Sequence, residues 1–306
     1  MVTLSQFYSY IFIMSVAASK ICLSTDIFGP VKSDFYRPKY FAVDIDGTFL
    51  THNDDAQEKN RQAFSRVVAA EYNIFFCTGR PLSCSIGVLG DNYIKSTGYS
   101  GYPGIYHNGA VVYGHAGEVL RMVKFSRDFM TAFCQYIENN GLQRYVLFAD
   151  MYNFYMLDND CSQLRHAMDE INYRGDPLVV SVDDILTKNI TLITVRGAEI
   201  ITKQTHFVRD VDYVMKAGSI GCFDITAGRC TKAEGLKVLL EKYGLGPKDC
   251  GFIGNGTNDI EAMDLCELSF AVRNSEPTVA DHAKYHLNET NDEAAFAKAI
   301  DIVYGL

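Results

Sequence analysis

Two aspartates follow a nearly unbroken apolar stretch in the segment FAVDIDGTFL. Asp44 and Asp46 are two positions apart, so on an extended chain their side chains leave on the same side. Gly47 allows the chain to turn directly after them. Two carboxylates in one site can divide the work, one as nucleophile or metal ligand and the other as acid and base. A plain Asp-Gly turn, with no chemistry, is the alternative interpretation.

Three later segments also carry chemical groups. The segment CTGRP offers the Thr78 hydroxyl and backbone N–H groups to an anion. The segment GNGTND is not a dinucleotide fingerprint, because Asp259 stands where a glycine is required. Lys232 begins a predicted helix, and by itself it is typical of a solvated lysine. None of these segments is specific alone.

The elements that must position these groups form a strand–helix–strand pattern. Short apolar runs at 40–45 and 74–77 predict buried strands, and helical spacing predicts a helix over 57–72. Such a unit predicts a parallel sheet covered on both faces. Ligands of open parallel sheets bind beyond the carboxyl ends of the strands, which is where DIDGT, TGR and GNGTND are predicted to lie.

Composition limits the function classes. With 306 residues, 48% of them hydrophobic, the chain is typical of a globular protein of one or two domains. Its net charge of −9, without a basic stripe, argues against a nucleic-acid partner. The nine cysteines form no CxxC pair, which argues against a zinc ribbon or a thioredoxin-type site.

The domain organisation is predicted in three parts. Residues 36–123 and 222–306 form one α/β core domain, and the mixed α and β signals of 124–221 indicate an inserted α+β module. Residues 1–24 contain a short apolar run that suits a signal peptide and is too short for a membrane span. The expected location is cytoplasmic, or the secretory pathway or an organelle if that segment is a functional signal.

Taken in order, DIDGT, TGR, NGA at 108–110, Lys232 and GNGTNDIEAM resemble the haloacid dehalogenase superfamily of phosphohydrolases. The Cof-like branch, with a type IIB cap, is the nearest pattern. The resemblance runs from about residue 36 to the end of the chain. It implies a Rossmann-like parallel-sheet core with an inserted α+β cap domain of the C2 type.

The resemblance also implies catalytic roles. Asp44 would attack phosphorus and form an aspartyl-phosphate. Asp46 would protonate the leaving oxygen and then activate water. Lys232 would neutralise charge on the nucleophile and the phosphate, which suits a reaction that depends on positioning and electrostatics.

Substrate and metal positions follow in the same way. The residues that the resemblance places on the substrate are Thr78, Gly79, Arg80, Asn108 and Asn258, with Arg80 and Asn108 the weaker candidates. The residues that it places at a Mg²⁺ site are Asp44, Asp46, Asn255 and Asp259, where Asp46 contributes its backbone carbonyl and Asp259 supports the site. Asn255 stands where the family has a ligating aspartate, and an amide brings no charge. We therefore expect weaker Mg²⁺ binding.

The predicted function is a Mg²⁺-dependent phosphatase for small phosphorylated metabolites, sugar phosphates first. Two alternatives remain open: a weakly active or non-catalytic phosphometabolite-binding regulator, and a phosphosugar mutase.

Overall fold

The computed structural model describes residues 36–197, 207–218 and 221–306, with the backbone of residues 21–23. In chain order its strands are β1 (Ile21–Leu23), β2 (Tyr40–Val43), β3 (Asn73–Phe76), β4 (Gly104–Tyr106), β5 (Val111–Tyr113), β6 (Val119–Met122), β7 (Val146–Ala149), β8 (Phe154–Met156), β9 (Leu178–Val179), β10 (Leu192–Arg196), β11 (Tyr213–Ala217), β12 (Cys222–Ala227), β13 (Cys250–Gly254), β14 (Leu268–Ala271) and β15 (Tyr285–Leu287). The helices are α1 (Asp54–Ala69), α2 (Asp91–Thr97), α3 (Arg127–Asn139), α4 (Arg165–Glu170), α5 (Val182–Ile185), α6 (Lys232–Lys242), α7 (Ile260–Leu265), α8 (Pro277–Ala280) and α9 (Ala295–Tyr304).

A parallel sheet in the order β1-β15-β14-β13-β2-β3 forms the core. All four residues of β2 are buried, and α1 packs against both β3 and α9. An apolar strand without alternation is what a sheet covered on both faces requires. Because β3, β2 and β13 are parallel neighbours, their carboxyl ends bring three sequence motifs to one edge.

Helix α1 begins and ends earlier than its sequence prediction of 57–72. The Asn53 side chain accepts a hydrogen bond from the backbone N–H of Ala56, at 3.1 Å, and caps the helix. Phe64 and Val67 are buried on its core face. Glu71, which lies within the predicted range, instead has φ 63 beyond the end of the helix. The prediction was wrong at both ends because the cap and the left-handed residue were not recognised.

A second sheet, in the order β11-β12-β10-β7-β8-β9, belongs to the inserted part of the chain. Its pairings are antiparallel apart from β8 with β9. Helix α3 packs on one face, where Phe129, Phe133 and Ile137 join the buried cluster around Phe148. A small antiparallel sheet, β4-β5-β6, completes the described sheets.

The predicted end of the insertion, residue 221, requires a correction. Strand β12 lies between β10 and β11 in the second sheet. The insertion therefore includes Cys222–Ala227, and the chain returns to the core after it. The sequence prediction failed here because the residues of a single short strand do not indicate which sheet it joins.

The amino-terminal prediction also requires a correction. Strand β1 pairs in parallel with β15, so residues 21–23 belong to the core sheet although the prediction left 1–24 out of the fold. Residues 1–20, which carry the predicted signal-like run, lie outside the described residues. Among the helices that the structure describes, none has both the length and the apolar character needed to cross a membrane.

Candidate active site

Asp44 and Asp46 lie in the loop after β2, and their environments differ. Asp44 is 4% exposed, and its backbone N–H donates to the Ile253 carbonyl at 3.0 Å. The Asp46 side chain is 57% exposed. Gly47 has φ +70, and a Cβ there would lie 2.6 Å from Nδ2 of Asn255. The turn therefore needs glycine, and it holds the loop against the loop after β13.

Lys232 is the buried cation of the site. It is the first residue of α6, whose cap is the Thr231 side chain. Its Nζ lies 2.5 Å from Oδ1 of Asp44 and 2.7 Å from Oδ1 of Asp259. Burial raises the pKa of Asp44 to about 7, together with the charge of Asp259, while Lys232 opposes the rise. Burial lowers the pKa of Lys232, but the charges of Asp259 and Asp44 raise it by more. The lysine is therefore charged.

Asp259 organises the loop after β13. Its Oδ1 accepts a hydrogen bond from Lys232. Its Oδ2 accepts hydrogen bonds from the backbone N–H groups of Asn255, at 2.9 Å, and Gly256, at 2.8 Å. Asp259 is fully buried and does not line the cavity described below. Since both oxygens are occupied within the chain, its geometry suits the predicted supporting role.

Asp46 forms a two-point ion pair with Arg80. Nη2 of Arg80 lies 2.5 Å from Oδ1 of Asp46, and Nε donates to Oδ2 at 2.9 Å. The Arg80 guanidinium also donates to the carbonyl of Cys84, at 3.2 Å, and to the carbonyl of Glu170, at 2.9 Å. Glu170 ends α4 in the insertion. Arg80 therefore connects the exposed carboxylate of the core with the inserted layer.

The remaining predicted substrate residues form one polar cluster. Asn258 donates to Oδ1 of Asn108 at 2.9 Å, and Asn108 adopts φ 53 in the left-handed region. Gly79 and Asn258 line the cavity, whereas Thr78 and Asn108 are buried behind it. The Thr78 hydroxyl accepts the Arg80 backbone N–H at 3.1 Å. Thr78 thus shapes the loop that carries Gly79 and Arg80.

A cavity of about 480 Å³ lies between the core loops and the insertion. Asp44, Asp46, Arg80 and Asn255 line its core side. Leu147, Phe154, Met168, Leu192, Thr194 and Asp224 are among the residues that line its other side. Of the ten predicted site residues, the cavity therefore directly contacts Asp44, Asp46, Gly79, Arg80, Asn255 and Asn258, while Thr78, Asn108, Lys232 and Asp259 support them from behind.

The groups that the family resemblance assigns to Mg²⁺ are the Asp44 carboxylate, the Asp46 backbone carbonyl and the Asn255 amide, and oxygen ligands of this kind suit that ion. Thr48 donates to the Asn255 amide oxygen at 3.0 Å. No group of three or more His, Cys, Asp or Glu side chains in the described ranges is placed to hold a metal ion. Phosphate and water oxygens would have to complete the coordination.

Sequence reasoning missed several residues that line the cavity or connect the insertion with the core. Thr194 and Asp224 face the cavity from the insertion. Lys216 reaches the core, where its Nζ lies 2.7 Å from Oε1 of Glu261. The buried His107 contacts the Thr191 hydroxyl at 2.7 Å. No local motif marks any of them, because their partners are distant in sequence.

Comparison with known proteins defines the family. Residues 41–300 match the family model for haloacid dehalogenase-like hydrolases, so the chain belongs to that family. The predicted fold class, the resemblance and the hydrolase class are thereby confirmed.

Two curated relatives illustrate the similarity. The chloroplastic endoribonuclease YBEY of Arabidopsis thaliana is 25% identical over 278 residues, which are 87% of this chain and 47% of that protein. This chain therefore spans about half of that relative's length. A Bacillus subtilis protein named as a candidate phosphatase, YxeH, is 26% identical, and the match covers 86% of this chain and 97% of YxeH.

Solved structures share the fold. A HAD/COF-like hydrolase from Plasmodium vivax superposes with a TM-score of 0.77 at 20% identity, covering 88% of this chain and 96% of its own. The subclass IIB sugar phosphatase BT4131 gives a TM-score of 0.70 at 20% identity, covering 86% and 97%.

Proposed function

We propose that this chain hydrolyses phosphate monoesters of small metabolites, with Asp44 as the nucleophile. The observation that carries the proposal is the pair of buried ion pairs that Lys232 makes with Asp44 and Asp259, of which Asp44 also lines the cavity. Oδ1 of Asp44 accepts a hydrogen bond from the Lys232 ammonium. Among the described residues, no donor forms a hydrogen bond to Oδ2 of Asp44. A carboxylate so held presents one oxygen to an incoming phosphorus atom.

In the first half-reaction, the Asp44 oxygen would form a bond to phosphorus while the bond to the leaving oxygen breaks. The leaving oxygen takes a proton from Asp46, the exposed carboxyl that lies in the same loop and lines the cavity. Lys232 stays charged throughout, since two acidic groups surround it. Its charge offsets the negative charge that gathers on the transferring phosphoryl group.

In the second half-reaction, Asp46 would take a proton from water, and the water oxygen would displace Asp44 from phosphorus. The two-point contact with Arg80 holds the Asp46 carboxylate, the form that accepts this proton. Donation in the first half-reaction requires that contact to loosen. We infer that Arg80 positions Asp46 and, through the Glu170 carbonyl, links it to the insertion.

Mg²⁺, when bound by Asp44, the Asp46 carbonyl and Asn255, would neutralise phosphate charge and orient the phosphoryl group. Asn255 supplies a neutral oxygen in place of a carboxylate, so we expect turnover to need more Mg²⁺ than an aspartate at 255 would require.

A small substrate fits the site. A cavity of about 480 Å³ lies within the range typical for small-molecule sites. Sugar phosphates remain the first candidates, in line with the Cof-like motifs and with the sugar phosphatase BT4131, which has a similar fold. Asn255 also favours a second candidate function, a weakly active or non-catalytic phosphometabolite binder.

The test is phosphate release by the full chain from a panel of sugar phosphates, with and without Mg²⁺. Asp44→Asn should abolish Mg²⁺-dependent turnover, whereas Asp183→Asn, on the exposed face of α5, should not. Turnover that survives Asp44→Asn contradicts the nucleophile assignment. Ligand binding without turnover would support the binder. Dependence on a bisphosphate activator would support a mutase.

A further inference from the structure

The second sheet presents a row of four side chains that crosses four strands. Lys216 on β11 lies opposite Asp224 on β12, Asp224 lies opposite Thr194 on β10, and Thr194 lies opposite Leu147 on β7. Residues in register on neighbouring strands share one face of a sheet. Asp224, Thr194 and Leu147 all line the cavity, so this face forms its wall opposite the reacting groups.

The middle of the row is polar and incompletely paired. Thr194 donates its hydroxyl to Oδ1 of Asp224 at 2.7 Å. The other Asp224 oxygen accepts no hydrogen bond from the described residues. Lys216, the cation directly opposite, extends instead to Glu261, at 2.7 Å, and to the Thr257 carbonyl, at 3.2 Å. Because Asp224 lines the cavity, this oxygen is free to accept a hydrogen bond from a ligand there.

Burial is the main cause that raises the pKa of Asp224 to about 6, and the charge of Asp46 across the cavity adds to it. The hydrogen bond from Thr194 opposes the rise. No cation contributes to this pKa, which agrees with the contacts of Lys216, whose ammonium binds Glu261 and the Thr257 carbonyl and not Asp224. Near neutral pH it offers a charged acceptor to whatever occupies the cavity.

The far end of the wall is apolar. Leu147, Leu192 and Phe154 from the sheet line the cavity together with Met168 and Ile171. Side chains of this kind bury an apolar face of a ligand and satisfy none of its hydroxyl groups. The wall therefore changes from acceptor to apolar along its length.

We propose that Asp224, oriented by Thr194, binds a hydrogen-bond donor on the leaving group of the substrate, while the apolar wall packs against one face of that group. The inference rests on the proposed phosphatase function and narrows its substrate class. The substrate is a phosphate monoester whose leaving group is amphipathic, with a hydroxyl or amine at one end and an apolar ring or chain face beside it.

Matched aryl phosphates test this inference. The probes are phenyl phosphate and its 3- and 4-(hydroxymethyl) derivatives, which differ in a donor and in little else. The measured quantity is the ratio of kcat/KM for the better hydroxymethyl ester to that for phenyl phosphate, taken within each variant. An internal ratio is unaffected by the fraction of active protein.

For the unmodified chain we expect a ratio of about ten or more, since hydrogen bonds to charged groups are among the stronger ones. Asp224→Asn should reduce the ratio several-fold, because the amide oxygen would face Thr194 and the NH₂ group facing the cavity could only donate to the hydroxyl oxygen, so the hydrogen bond to a charged acceptor would be lost. Thr194→Val should reduce it partly, since it removes only the orienting bond. Asp183→Asn is the control and should retain the ratio.

Two outcomes overturn the inference in different ways. A ratio near one in the unmodified chain, or an unchanged ratio in Asp224→Asn, refutes the donor site while hydrolysis itself stands. Absence of Asp44-dependent hydrolysis with every ester, including the sugar phosphates, refutes the proposed function and this inference together.

Discussion

Replacement of Lys232 by methionine should test the electrostatic chain at the centre of the site. The lysine is fully buried between Asp44 and Asp259, at 2.5 and 2.7 Å. Methionine fills a similar volume and leaves two buried carboxylates facing each other. Loss of one partner from a buried ion pair costs about 3–5 kcal/mol. We therefore expect the free energy of unfolding to fall by about that amount, and Tm by about 6–10 °C.

The loss should depend on pH. Without the lysine the folded-state pKa of Asp44, already raised to about 7, rises further. A raised folded-state pKa means that the unfolded state binds fewer protons, so stability falls as pH rises through that value. The difference in free energy of unfolding between Lys232→Met and the unmodified chain should therefore widen as pH rises above about 7, where Asp44 of the unmodified chain has lost its proton and Asp44 of the variant still holds it.

The assay is thermal unfolding in a metal chelator at several pH values, with a double-mutant cycle. Lys232→Met/Asp259→Asn should be more stable than Lys232→Met alone, because one uncompensated charge is gone. Lys237→Met is the control, since Lys237 lies on the same helix and its side chain is 46% exposed. A pH-independent gap, an additive cycle, or an equal loss in the control would refute the reasoning.

Three further predictions concern activity. Arg80→Lys should lower kcat at least about tenfold while KM changes less, because an ammonium cannot make the two-point contact with Asp46; equal effects on both constants would contradict a positioning role. Asn255→Asp should lower the Mg²⁺ concentration for half-maximal activity about ten- to hundredfold, since a carboxylate replaces a neutral ligand, and an unchanged Mg²⁺ titration would contradict it. The kcat/KM ratio of the hydroxymethyl ester to phenyl phosphate should decline as pH falls through about 6, where Asp224 becomes protonated. Lys216 and Asp46 are the other charged groups near Asp224. A ratio that stays constant from pH 5 to 8 would exclude an ionised acceptor.

The parts of the site that the sequence could predict are those built by local chain geometry. Asp44 and Asp46 follow an apolar strand, and the TGR and GNGTND segments follow strands that lie beside it in a parallel sheet. Adjacent parallel strands place such segments together whatever the rest of the chain does. Lys232 required the family resemblance, since a lysine at the start of a helix has no distinctive local pattern.

The parts that could not be predicted depend on pairing between distant strands. Thr194 and Asp224 meet only because β10 pairs with β12 in one register, and a slip of one residue would turn both to the other face. The connection from Arg80 to the Glu170 carbonyl spans 90 positions. The misplaced end of the insertion at β12 has the same origin, because strand propensity does not specify a sheet.

The contact between Arg80 and Glu170 has a consequence for the design of chimaeras. The last carbonyls of a helix lack partners within the helix and carry partial negative charge, and the carbonyl at the end of α4 meets this need through a core arginine. An inserted domain transplanted from another member of the family would have to present a helix end at the same point. A grafted domain without that helix end would remove one hydrogen-bond acceptor from the Arg80 guanidinium. Asp46, which Arg80 holds, would then be less well ordered even though no residue of the core had been altered.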